Sequence, residues 1–153
     1  MKMLLLGIGN SGRGDDGLGW KFVECVEKFC YKFIEFEFRY QLQIEDADTI
    51  GNYEVVVFVD ASHEKIENGF QVSSCKPSDH YYYSTHAQDP GAILHLCNNL
   101  FNKFPKAYLV AIAGEEWDLG SSLSKTAMQN LKEALSFFTY DFLPAFAPKM
   151  NYA

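Results

Sequence analysis

Apolar and polar positions divide the chain into alternating strand and helix signals. Residues 3–8, MLLLGI, form an almost unbroken apolar run, the pattern of a strand buried on both faces of a parallel sheet. A glycine-rich turn comes next, and then Leu18, Phe22, Val26 and Phe29 recur every three or four residues, which predicts a helix with one apolar face. Ile34, Phe36, Phe38 and Tyr40 alternate with Glu35, Glu37 and Arg39, as in an edge or near-edge strand with one solvated face. Residues 43–52 are polar and predict a short helical turn ending near Gly51 and Asn52. Residues 55–59, VVVFV, make a second fully apolar strand that ends in Asp60.

Further on, residues 69–75 come too soon after the third strand for a parallel crossover and so predict an antiparallel edge strand. Asp89 and Pro90 form an N-cap and first-turn pair for a helix whose apolar face is Ile93, Leu94, Leu96, Cys97 and Leu100. Residues 108–113 are the last strand, 114–120 a loop, and 123–140 the final helix, opened by Ser122 or Ser124. Residues 143–153 are punctuated by proline and read as irregular. This order predicts an α/β three-layer sandwich: a mostly parallel five-stranded sheet with one antiparallel edge strand and helices on both faces. The first three strands should lie in the order 2-1-3, with the topological switch point between the first and third.

Length and charge narrow the possibilities. A chain of 153 residues reads as a single domain over 1–153. The net charge of −7, with no Lys/Arg cluster, argues against nucleic acid and anionic membranes as partners. No apolar stretch approaches the roughly 20 residues that span a bilayer, and the N-terminus enters a core strand without a signal-peptide pattern, so a cytoplasmic protein is expected. Cys25, Cys30, Cys75 and Cys97 form no C-x-x-C pair and read as reduced thiols, two of them on helices.

Candidate chemistry gathers at the predicted switch point. Gly7, Gly9 and Gly12 spell the G-x-G-x-x-G dinucleotide fingerprint, but Asp15 and Asp16 would set two negative charges beside a pyrophosphate. A second reading makes the acids themselves the purpose of the loop, as oxygen ligands for a metal or anchors for substrate. Helix capping explains either acid alone, and the two can differ, with Asp15 capping while Asp16 points into the crevice. Asp60, at the end of the third strand, would flank the same crevice or serve as a turn residue. Among the histidines, His95 reads as a packing or surface residue and His80 is uninformative. His63 and His86 rank nearly equal as residues aimed at the strand ends.

The segments GIGNSGRGDDGLG, VVVFVDAS and STHAQDPGAIL, in that order, resemble the endopeptidases that mature nickel-iron hydrogenases. The loop over residues 117–124 is also similar to the one before that family's last helix. The resemblance implies a cleavage of the C-terminal extension from a hydrogenase large-subunit precursor once nickel is in place. It implies Asp16, Asp60 and His86 as the metal-contacting and catalytic set, with Asp15 capping or supporting. Nickel would be carried by the substrate, although zinc or another divalent ion suits the same two carboxylates and one imidazole. This sequence departs from the family pattern at residues 40–44, where relatives often carry a D-G-G-like turn, at Gly114-Glu115-Glu116, and at Asp16, where many have Glu. Two other functions fit the same fold: a nucleotide-binding module, and a non-catalytic metal-dependent docking or chaperone protein.

Overall fold

In the computed structural model, which describes residues 1–79 and 88–149, the strands are β1 (Met3–Ile8), β2 (Ile34–Arg39), β3 (Val55–Ser62), β4 (Phe70–Cys75) and β5 (Lys106–Ala113). The principal helices are α1 (Leu18–Glu27), α2 (Asp46–Ile50), α3 (Pro90–Phe101) and α4 (Lys125–Phe137). The strands form one sheet in the order β2-β1-β3-β5-β4. All pairings are parallel except that of β4 with β5. The predicted mostly parallel sheet, its antiparallel edge and its switch point between β1 and β3 are therefore all present.

Alternation along the central strands splits the core into two layers. Met3, Leu5, Val55, Val57 and Val59 pack with Leu18, Phe22 and Val26 of α1 and with Ala127, Leu131 and Ala134 of α4. Leu4, Leu6, Val56 and Phe58 face the other way, onto Ala47 and Ile50 of α2 and Ile93, Leu94 and Cys97 of α3. At β1 every residue is buried, which is why no polar alternation shows there. Helix α1 sits unusually close to the sheet because Gly19 leaves room. A Cβ at that position would come within 2.4 Å of the Val59 carbonyl oxygen and 2.5 Å of that of Ile8.

The structure differs from the pattern-based expectation at several element ends. Helix α1 stops at Glu27, so Phe29 lies beyond it and is 64% exposed and outside the apolar stripe. Helix α4 starts one residue after its N-cap Ser124, whose hydroxyl accepts from the Ala127 amide at 3.1 Å. After Phe137 the chain widens into a π-helical turn, Phe138–Phe142, and then a 3-10 stretch, Leu143–Lys149, where the proline pattern predicts an irregular tail. The cause is burial: Phe138, Phe142 and Leu143 all enter the α1/α4 layer. Phe138 meets Phe22 edge-on at 5.3 Å, and Phe142 meets Tyr108 edge-on at 5.1 Å. Proline at position 144 does not prevent helical turns when apolar side chains on either side are pulled into a core.

Candidate functional site

The loop after β1 folds back on itself by hydrogen bonds that its own sequence supplies. The Gly9 amide donates to the Arg39 carbonyl at 2.9 Å, tying the loop to the end of β2. Gly9 has φ of +138°, and a Cβ there would lie 2.0 Å from the Asp16 carbonyl oxygen, so only glycine lets the chain return this closely. The Asn10 amide donates to Asp16 Oδ2 at 2.8 Å, and Asn10 Oδ1 accepts from the Gly12 amide at 2.9 Å. A 3-10 turn, Gly14–Gly17, then leads into α1. Neither this turn nor α1 has a side-chain cap, so the acids do not cap their own helix.

Asp60 lies in register with Ala111 of β5 and, by alternation, shares the sheet face of Val56 and Phe58. Its Oδ1 accepts from the Ala61 amide at 2.8 Å. Burial pushes the Asp60 carboxyl up to about 7; the Ala61 hydrogen bond opposes this, and the negative charge of Asp16 adds to it. Asp16 is thus near enough for its charge to act on Asp60, although the two are far apart in sequence. A cation between them would offset both the repulsion and the lost solvation, so these oxygens fit a divalent metal in chemistry. Among the described residues no three His, Cys, Asp or Glu side chains are grouped as a metal site would require. His86 lies outside the described residues, as does His80.

Asp15 does something that no local pattern signals. It is completely buried, and its carboxylate accepts four hydrogen bonds from the segment between β5 and α4. Oδ2 takes the amides of Glu115 at 2.8 Å and Glu116 at 2.9 Å and the Ser124 hydroxyl at 2.7 Å, while Oδ1 takes the Ser124 amide at 2.7 Å. Burial alone would raise its pKa, but these donors together outweigh it and hold the carboxyl below its ordinary value. The Asp15 amide also donates to the Glu116 carbonyl at 2.7 Å. Asp15 therefore clamps the Asp16 loop to the loop leading into α4. The local sequence offers only capping for this residue, because its partners lie about a hundred residues away.

The same hydrogen bonds weaken the nucleotide reading. The amides of Gly9, Asn10, Gly12, Arg13, Gly14, Asp15 and Asp16 all donate within the protein already. A dinucleotide loop works by offering such amides to a pyrophosphate. His63, which ranks beside His86 on sequence grounds, stacks on Trp117 with ring centroids 3.6 Å apart. The pair lines a separate cavity of about 520 Å³ between the β3–β4 connection and the start of α4. His95 is on α3, where its ring nitrogen Nε2 is 3.1 Å from Asn99 Nδ2. The four cysteines are free thiols, Cys25 on α1 and Cys97 on α3.

No protein-family model matches the chain, and comparison with curated proteins finds no match. Solved structures do match. The chain is similar to the NiFe hydrogenase maturation protease HycI from Thermococcus kodakarensis KOD1, with 18% identity, a TM-score of 0.71, and 93% of this chain and 92% of that one covered. It is similar to the hydrogenase maturating endopeptidase HybD from E. coli at 19% identity and TM-score 0.69, covering 97% and 94% of the two chains. A third match is the NiFe hydrogenase maturation protease HybD from Thermococcus kodakarensis, at 21% identity and TM-score 0.62, covering 91% and 97%. The resemblance read in the sequence motifs thus extends to the fold.

Proposed function

We propose that this chain is an endopeptidase that removes the C-terminal extension of a nickel-iron hydrogenase large-subunit precursor, with the nickel carried by that substrate as the recognition element. The observation that carries the reading is the placement of two carboxylates, Asp16 and Asp60, after the neighbouring parallel strands β1 and β3 at the switch point, on a fold shared with maturation proteases. Ligands of open α/β sheets bind at this place, outside the carboxyl ends of the strands.

In this reading Asp16 and Asp60 present oxygens and His86 a ring nitrogen to the substrate's metal, a donor set that suits nickel or zinc. The Asn10 amide holds Asp16 by Oδ2, which leaves Oδ1 as the oxygen that can turn to the substrate. Asp60 carries a proton part of the time near neutrality and releases it when a cation arrives. Support for His86 comes from its chain neighbours Gln88 and Asp89. The Gln88 amide donates to the Leu42 carbonyl at 3.2 Å, and Asp89 Oδ1 accepts from the Ala92 amide at 2.8 Å, fixing the start of α3 on the sheet face that Asp60 shares. A bound divalent metal can polarise a scissile carbonyl or a water. Among the described residues no helix is long and apolar enough to cross a membrane, and a cytoplasmic location belongs to the same reading.

The test is incubation with nickel-loaded precursor. Loss of the tail with the wild type but not with Asp16→Ala or His86→Ala supports the proposal. Equal cleavage by these variants refutes the site, and nickel-dependent complex formation without cleavage would favour a docking protein.

A further inference from the structure

His63 and Trp117 belong to loops that come after neighbouring parallel strands, β3 and β5, and the cavity beside them opens at the same rim of the sheet as the Asp16–Asp60 crevice. Three separate segments build it. The connection after β3 gives His63 and Ile66, the loop after β5 gives Gly114 and Trp117, and α4 gives Thr126 and Asn130. Each wall is fixed. Asn130 Nδ2 donates to the Ala113 carbonyl at 2.9 Å, and its Oδ1 lies where a Cβ on Gly69 would be, 2.0 Å away. The Trp117 ring packs over Gly114, where a Cβ would come within 3.0 Å of it. The Glu115 and Glu116 amides of the same loop are held by the buried Asp15 carboxylate.

We infer that this cavity is a subsite for the precursor peptide, receiving a large apolar or aromatic side chain near the cut bond. The inference rests on the peptidase reading above for the identity of the peptide, and on three observations for the place and the chemistry. First, the stacked pair His63–Trp117, each ring covering one face of the other, joins Ile66 in an apolar wall with Lys65 and Glu115 beside it, to which an aromatic or long aliphatic side chain binds chiefly by burial. Second, at about 520 Å³ the cavity has the volume of a pocket for a short peptide stretch. Third, His63 stands only three residues beyond Asp60, just past the end of β3, so the two positions are about 10 Å apart along the chain, with the Asp60 side chain on the α2/α3 face of the strand and the cavity on the α4 face of the same rim. An extended peptide reacting at Asp60 covers that span in about three residues. The clamp at Asp15 holds the Trp117 loop in place before substrate arrives, which lowers the ordering cost of binding.

The test has two arms. In the first, Trp117→Ala and Thr126→Phe are assayed on nickel-loaded precursor; Thr126 is exposed at the start of α4, so its substitution fills the cavity from outside the core. Both should raise KM roughly ten- to a hundredfold, the worth of burying one large apolar side chain, with kcat changed less than about threefold. In the second, the Trp20→Phe variant leaves Trp117 as the sole tryptophan of the two, and its fluorescence is titrated with acetyl-Gly-Phe-Gly-amide and acetyl-Gly-Ala-Gly-amide. A saturable change with the phenylalanine peptide, lost in Thr126→Phe and at least about tenfold weaker with the alanine peptide, supports the subsite. Unchanged KM in both variants, or no fluorescence response to the phenylalanine peptide, overturns it. Failure of the wild type to cleave nickel-loaded precursor overturns the peptidase reading instead, and the tripeptide titration still decides whether the cavity binds apolar side chains.

Discussion

Replacing Asp15 with Asn is the most informative single change in this protein, because it keeps the shape of the side chain and removes its charge. Asp15 is wholly buried and is met by three amides and one hydroxyl, all donors. An asparagine placed with its oxygen at the Oδ2 position keeps the Glu115 and Glu116 amides and the Ser124 hydroxyl, but as neutral hydrogen bonds. Its NH2 group then faces the Ser124 amide, donor against donor. Hydrogen bonds to a charged acceptor are worth about 1.5–3 kcal/mol and neutral ones about 1, and an orphaned buried N–H costs a further 1–3 kcal/mol or so. Asp15→Asn should therefore destabilise the protein by about 3–5 kcal/mol, a large part of the 5–15 kcal/mol or so that domains have in hand. Urea melts monitored by circular dichroism measure this directly, with an unchanged slope showing that the unfolded state is the same. Since the Asp15 carboxyl is held below its ordinary value, its contribution is present above the unfolded value near pH 4 and is lost as pH falls through the lower folded value. The gap between wild type and variant should accordingly be full at pH 7 and shrink below about pH 4. A loss under about 1 kcal/mol at pH 7, or a gap that does not change with acid, would refute the clamp.

Asp60 should show the opposite pH dependence. With a folded pKa of about 7 against an unfolded value near 4, the folded protein binds the extra proton between these limits, so stability from this group is complete below pH 4 and is lost as pH rises through 7. In the presence of a chelator, Asp60→Asn should therefore gain stability over wild type at pH 8 relative to pH 5, by up to about 2.5 kcal/mol, and an equal effect at both pH values would rule this out. Asp16→Asn should lower the Asp60 pKa, read from the carboxyl carbon shift by NMR, because the adjacent charge is gone. Gly9→Ala should cost at least about 2 kcal/mol by denaturant melt, since its Cβ meets the Asp16 carbonyl and its φ is positive; a near-neutral result would show that the loop can be rebuilt. Ser124→Ala removes both the cap on the Ala127 amide and one donor to Asp15, and should cost about 2–3 kcal/mol in the same assay.

The parts of this molecule that are legible in the sequence are those governed by local periodicity. The apolar runs of β1 and β3, the alternation of β2 and the Asp89-Pro90 start of α3 all depend on neighbours within a few residues, and each stands where the pattern puts it. The short spacing behind β3 gives the antiparallel direction of β4 by chain length alone. The features that the sequence hides are non-local. Asp15 reads as a capping residue because its partners, Glu115, Glu116 and Ser124, are on the far side of the chain. His63 reads as a crevice residue because nothing near it announces Trp117. The helical turns after Phe137 are masked by Pro144, and only the aromatic spacing of Phe138, Phe142 and Phe146 could reveal them. The placement of Asp16 and Asp60 after neighbouring strands is reachable from topology, as two carboxylates beyond the ends of strands that the 2-1-3 order makes neighbours.

The uneven placement of the two core layers along the chain bears on how the protein folds as it is made. The layer beneath α2 and α3 draws only on residues up to Leu109, whereas the one beneath α1 and α4 is incomplete until Phe138, Phe142 and Leu143 have been added. A nascent chain emerging from the ribosome can thus bury one side of its sheet while the opposite side, covered by α1 over β1 and β3, still shows Val110 and Ile112 of β5 to water until α4 arrives. That interval, the stretch from Leu109 to Leu143 made at roughly 5–20 residues per second, is the period in which chaperones would have an apolar surface to hold.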